Sequence, residues 1–115
     1  MSEHRSRVTT HVLDATSGRP AAEVAVTLER QIRDGWEPVA SAWTDIDGRI
    51  SEFGPVDLER GVYRVSFAVA AYFAGRSQPA FYPEVVISFA LDDEHAHYHV
   101  PLLLSPYAYS TYRGS

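Results

Sequence analysis

The sequence predicts an all-β protein: a two-sheet antiparallel β-sandwich of about eight strands with one short helix. Three observations point there. Turn signals recur every ten or so residues, at Ser17-Gly18-Arg19-Pro20, Asp34-Gly35, Asp47-Gly48, Gly54-Pro55, Arg60-Gly61 and Ser105-Pro106. The runs between them are short and rich in Val, Ile, Tyr, Phe and Thr, residue types that suit a pleated, half-buried surface. Fitting so many strands into 115 residues leaves no space for the crossover helices of a parallel sheet, so the pairing should be mostly antiparallel.

Each element has its own signal. The first strand is expected over 8–15. In the second, 22–31, Val24, Val26 and Leu28 alternate with Ala25, Thr27 and Glu29, the period-two pattern of a half-buried strand. Strands over 37–44 and 49–53 follow the two Asp-Gly turns. Over 62–70, Tyr63, Val65, Phe67 and Val69 alternate with Arg64, Ser66 and Ala68. Residues 70–75 are alanine-rich and carry Tyr72 and Phe73, which suits one or two helical turns. Strands over 84–91, 97–104 and 107–112 complete the chain. Val100 to Leu104 is continuously apolar, and the last strand carries Tyr, Ser and Thr on both faces. Strands apolar or aromatic on both faces are covered on both faces, and in a sandwich this small the expected second cover is another subunit.

Composition narrows the function. At 12.8 kDa the chain is one domain, expected over 8–115 behind a polar, disordered tail over 1–7. Cysteine is absent, which excludes a disulfide framework, a thiolate metal site and a cysteine nucleophile. Lysine is absent, which excludes Schiff-base chemistry. The net charge of -5 argues against nucleic acid or an anionic membrane as partner. No apolar run approaches the ~20 residues of a membrane span. The polar start, lacking the apolar core of a secretory signal, makes the cytoplasm the expected location.

Histidine and arginine carry the remaining chemistry. His4 falls in the charged start and needs no role. His11 lies inside a strand that otherwise reads as core, so its imidazole must be paired or face a cleft. His95, His97 and His99 are spaced two apart, so on one strand all three would share a face. That pattern is open to three readings: a metal site, ordinary packing, or one catalytic imidazole with exposed neighbours. Arg49, after the Asp47-Gly48 turn, is placed to reach an anion. Tyr112-Arg113-Gly114-Ser115, taken alone, reads as a solvated tail. There is no Gly-x-Ser-x-Gly elbow and no glycine-rich phosphate loop.

Four segments resemble the hydroxyisourate hydrolases of the transthyretin-like family. They are Thr9-Thr10-His11-Val12-Leu13-Asp14-Ala15-Thr16-Ser17-Gly18-Arg19-Pro20-Ala21, Thr44-Asp45-Ile46-Asp47-Gly48-Arg49, Phe81-Tyr82-Pro83-Glu84-Val85, and the long C-terminal block. That block runs His97-Tyr98-His99-Val100-Pro101-Leu102-Leu103-Leu104-Ser105-Pro106-Tyr107, then Tyr109-Ser110-Thr111-Tyr112-Arg113-Gly114-Ser115, and is the most specific of the four. Ala108 stands where the family commonly has glycine.

The resemblance implies hydrolysis of 5-hydroxyisourate, the product of urate oxidation, without metal or cofactor. It implies a homotetramer, a dimer of dimers, with active sites at the dimer–dimer interface. Catalytic roles would fall to His11, Arg49, His99 and Ser115, and substrate binding to His11, Arg49, Tyr112, Arg113, Gly114 and Ser115. Either His11 or His99 would take the proton of water, with the other orienting water or substrate. His97 is set aside as the lesser of its pair. The residue types suit the reaction: opening a lactam needs an activated water and a stabilised oxyanion. The alternatives are a non-enzymatic transthyretin-like carrier of a planar ligand and a His-x-His-x-His metal-binding module.

Overall fold

In the computed structural model, residues 6–115 are described; His4 lies outside them. The elements run β1 (Val8–Asp14), β2 (Arg19–Pro20), β3 (Ala25–Ile32), β4 (Gly35–Trp43), β5 (Arg49–Ile50), β6 (Gly61–Phe67), α1 (Val69–Ala74), β7 (Val85–Leu91), β8 (Tyr98–Leu104) and β9 (Tyr109–Thr111). One sheet has the order β2-β1-β8-β9, with β5 sharing the free edge of β1 beside β2. The other has the order β4-β3-β6-β7.

The period-two alternation explains the layers. In β6 Tyr63, Val65 and Phe67 are buried while Arg64 and Ser66 between them are half-buried. In β8 Tyr98, Val100, Leu102 and Leu104 turn inward. Between the sheets Tyr98, Leu102 and Leu104 join Val8, Val12, Val26, Leu28, Val85 and Leu91 in one core. Each such fully buried side chain contributes roughly 1.5–3 kcal/mol relative to exposure. Among the described residues no helix is long and apolar enough to cross a membrane.

Several expected boundaries move. The strand expected over 62–70 ends at Phe67, and α1 starts at Val69, ahead of the expected 70–75. The reason is burial: Val69, Tyr72 and Phe73, at helical spacing, pack into the core together. The strand expected over 49–53 is only two residues long, because the backbone N–H of Phe53 leaves the sheet to donate to Ser6 Oγ at 2.6 Å. The strand expected over 107–112 keeps only its centre. Residues 105–108 form a turn in which the Ser105 N–H and hydroxyl both donate to the Ala108 carbonyl at 3.0 Å. The short strand β2 went unread. Ser6 and Arg7, ahead of the expected domain start, are also fastened, Ser6 Oγ donating to the Gly54 carbonyl and the Arg7 N–H to that of Pro55.

One pairing departs from the antiparallel pattern. β1 and β8 run parallel, in the register Thr9↔His99, His11↔Pro101 and Leu13↔Leu103. Parallel neighbours need a long connection. Here the connection is the whole second sheet, built between the end of β1 and the start of β8. This pairing lays the N-terminal histidine motif alongside the C-terminal one.

Candidate active site

His11 is brought to Arg49 by a short ladder. β5 pairs with β1 so that His11 and Arg49 stand directly opposite, and opposite residues of an antiparallel pair share a face. The turn before β5 fixes that register. Asp45 Oδ1 accepts the N–H of Asp47 at 2.8 Å and of Arg49 at 2.9 Å. The Gly48 N–H donates to the Asp45 carbonyl, and the Gly48 carbonyl accepts the Val12 N–H at 2.7 Å. Gly48 sits at φ +74°, and a Cβ there would lie 2.4 Å from the Val12 carbonyl oxygen. Only glycine fits both the conformation and the space. The turn is tied to the core from behind by Thr44, whose buried hydroxyl donates to the Ala21 carbonyl and accepts the Val24 N–H.

His99 enters the same face through β8. Its register partner Thr9 lies two residues before His11 on β1, and alternation puts Thr9 and His11 on one side. His11 and His99 therefore stand diagonally across adjacent strands, about 7 Å apart along the sheet. Thr9 Oγ1, in a buried side chain, is hydrogen-bonded to His99 Nδ1 at 2.8 Å and to His97 Nε2 at 2.9 Å. Both imidazoles are half-buried.

The chain end closes on His99 from the other side. The Gly114 N–H donates to the His99 carbonyl at 2.9 Å, in an isolated antiparallel bridge beyond β9. A Cβ on Gly114 would lie 2.5 Å from His99 Cδ2 and 3.3 Å from Pro101 Cγ. The glycine is thus a requirement of space against the imidazole edge. Ser115 follows, exposed beside it, and Tyr112 is exposed at 60%.

The expected site residues divide accordingly. His11, Arg49, His99 and Gly114 meet on one sheet face, with Ser115 at its margin. The Arg113 guanidinium stacks over the Tyr98 ring at 4.4 Å. Tyr98 adjoins His99 on β8, and both line a groove of about 290 Å³ together with Ile87, Phe89, Tyr112 and Arg113. The three histidines are not one row, as the strand expected from residue 97 implied. His95 is exposed in the loop after β7, its N–H bonded to Asp93 Oδ1, because acidic residues 92–94 turn the chain before β8 begins. Sequence reading gave Thr9 no role of its own and set His97 aside; the fold brings both to His99. Their signal was the pairing of a β1 hydroxyl with two histidines on the returning strand, which needs the register of β1 and β8 to be known.

A second polar cluster lies at the far end of β1. Asp14 is buried, its Oδ1 accepting the Thr16 N–H at 2.9 Å and its Oδ2 the Tyr72 hydroxyl at 2.8 Å. Burial, then this hydrogen bond, pushes the Tyr72 phenol up to about 12. The Arg76 guanidinium covers the Tyr72 ring at 3.8 Å. Here the carboxylate serves the turn that ends β1.

Residues 8–114 match the model of the HIUase/transthyretin family. The chain is 46% identical to a 5-hydroxyisourate hydrolase of Caulobacter vibrioides over 114 residues, covering 96% of this chain and 99% of that one. Among solved structures, Klebsiella pneumoniae 5-hydroxyisourate hydrolase superposes with TM-score 0.84 at 35% identity, covering 94% of this chain and 98% of that one. Transthyretin from Sparus aurata superposes with TM-score 0.88 at 33% identity, covering 96% and 97%.

Proposed function

The chain belongs to the HIUase/transthyretin family, and on that premise we propose that the face carrying His11, Arg49, His99 and Ser115 is its active site. The reaction is hydrolysis of 5-hydroxyisourate to 2-oxo-4-hydroxy-4-carboxy-5-ureidoimidazoline, a step of urate degradation. The backbone fold does not separate this activity from that of a carrier, since the hydrolase and the transthyretin superpose about equally well. The side chains make the difference. The observation that carries the site is the register that sets His11 against Arg49 and His99 against Thr9 on one face.

In the proposed mechanism His99 is the general base. Thr9 Oγ1 is hydrogen-bonded to its ring at Nδ1, and in this mechanism Nε2 is the nitrogen that meets the water. A neutral imidazole is able to take a proton from water. Water gives its proton to Nε2 as its oxygen bonds to the lactam carbonyl carbon. The C–N bond then breaks, and the departing nitrogen recovers a proton, leaving a carboxylate. Arg49 holds the developing oxyanion with paired donors, and His11 opposite it orients the substrate. Ser115 supplies a further polar contact at the margin, while Arg113 and Tyr112 seat the tail.

The proposed assembly is a homotetramer, a dimer of dimers whose dimer–dimer interface covers this face. Two features support it. The face is open in one chain, and β7 and β9 are edge strands whose backbone groups suit pairing with another copy. The decisive experiment is the absorbance decay of freshly generated 5-hydroxyisourate with and without the protein. Acceleration that persists in the presence of a chelator supports the reading; an unchanged rate of decay ends it.

A further inference from the structure

The pairing of β9 with β8 carries a gap. Its register is Leu104↔Tyr109, Leu103↔Ser110 and Leu102↔Thr111, and the isolated bridge His99↔Gly114 continues that same register beyond the end of β9. Tyr112 therefore falls opposite Pro101. Proline has no N–H to give the ladder, and the Pro101 carbonyl is occupied by the Thr111 hydroxyl, which donates to it at 2.7 Å. β9 ends at Thr111, and the backbone rejoins β8 only at Gly114. A chain end released in this way frays unless something ties it down.

The tie falls on consecutive residues. The Arg113 guanidinium lies over the Tyr98 ring at 4.4 Å, and the Gly114 N–H donates to the His99 carbonyl at 2.9 Å. Tyr98 is a fixed platform. Its ring is 4% exposed and packs beside Phe89. Its hydroxyl donates to Asp92 Oδ1 at 2.8 Å and accepts the N–H groups of Asp92 at 3.2 Å and Asp93 at 3.0 Å. Among the described residues no carboxylate pairs with Arg113, so the ring is what holds its guanidinium. A planar guanidinium suits that task, since it stacks flat on an aromatic face.

We infer that Tyr98 and Arg113 form a clasp that positions the chain end against His99. Both are positioning residues, and Arg113 acts through the ring of Tyr98, not by touching substrate. This deepens the hydrolase reading and rests on it. The tolerance at the far side of the clasp is small. A Cβ on Gly114 would lie 2.5 Å from His99 Cδ2, so the backbone there is set closely against the imidazole, and Ser115 takes its place from it. Loosening Arg113 frees Gly114 to leave that contact and takes Ser115 from the margin of the site.

The test uses the full chain. Arg113→Gln keeps the length and removes the charge; Tyr98→Leu removes the ring; Tyr98→Phe keeps the ring face. Hydrogen exchange of the Gly114 amide, followed by NMR, reads the clasp without any substrate. Arg113→Gln and Tyr98→Leu should each speed that exchange about fivefold or more, and Tyr98→Phe should leave it near wild type. In steady-state assays the first two should lower kcat by about fivefold or more with KM nearly unchanged, and Tyr98→Phe should stay near wild-type kcat. The double variant Arg113→Gln with Tyr98→Leu should be no slower than the worse single one, since both open one clasp. If Tyr98→Leu does not fold, Arg113→Gln and Tyr98→Phe still decide the matter. Unchanged Gly114 exchange in Arg113→Gln, a raised KM with wild-type kcat, or additive losses in the double variant would each overturn the clasp. So would a Tyr98→Phe variant with exchange as fast as Arg113→Gln. A wild-type protein that leaves 5-hydroxyisourate untouched would end the hydrolase reading instead, while Gly114 exchange would still decide the clasp.

Discussion

His11 and His99 are half-buried and reach the site from adjacent strands, and neither is part of the hydrophobic core. Replacing either with alanine should leave the thermal midpoint nearly intact while lowering turnover about a hundredfold or more, the scale of a lost acid–base group. Steady-state rates beside a melting curve check this; wild-type turnover in either variant removes that histidine from the site. At the other end of β1, Tyr72→Phe makes a stability prediction with a definite sign. The folded-state pKa of Tyr72 is raised, from 10 to about 12, so folding favours the neutral phenol. That contribution is complete below pH 10 and is lost as pH rises through about 12. The variant should be less stable by about 1–3 kcal/mol at neutral pH, having lost a hydrogen bond to a carboxylate. Its deficit should narrow between pH 10 and 12, because only the wild type then has this phenol to ionise. Denaturant curves across that range decide it, and a constant deficit would contradict the assignment.

Two short elements hold the site, and each depends on a glycine for a different reason. In the turn before β5, Gly48 needs the left-handed conformation and a gap beside the Val12 carbonyl. Gly48→Ala should destabilise the fold by at least about 2 kcal/mol, combining backbone strain with the displacement of β5. It should also lower activity, because Arg49 moves away from His11. Beyond β9, Gly114 needs only space. Deleting residues 112–115 removes one backbone hydrogen bond and one cation–π contact, about 1 kcal/mol each, from a chain end that is mostly exposed. The midpoint should fall only slightly, yet hydrolysis should fall by about a hundredfold or more, since the imidazole loses its lateral support and Ser115 is lost with it. Full-length rates in the truncated protein would show the chain end to be dispensable.

The whole molecule presents the proposed catalytic face on the outside of a sheet. In one chain that face is open, with Arg49 and Ser115 exposed and Tyr112, close to Ser115 in the chain, 60% exposed. A water-excluding site for a lactam therefore needs another surface opposite. Light scattering at micromolar concentration should give a mass four times 12.8 kDa. A monomer that still hydrolyses the substrate would separate the chemistry from the assembly.

Local sequence was enough for the sandwich itself. Alternation in β3 and β6, turn residues between the strands and an alanine-rich stretch for α1 are signals carried within a few residues of the elements they specify. His11, Arg49 and His99 were also legible, through motifs whose resemblance to known hydrolases is local in the chain. What only the tertiary structure decided is non-local. The parallel pairing of β1 with β8 places Thr9 beside His99, and no window of sequence contains both. The stacking of Arg113 on Tyr98 likewise joins the chain end to β8, across residues that are distant in sequence. Strand registers are set by the packing of a core assembled from the whole chain, and a slip of one residue would carry every side chain to the opposite face. Residue types and the order of elements are therefore written locally, whereas the hydroxyl between two imidazoles exists only once the first and the penultimate strands have met.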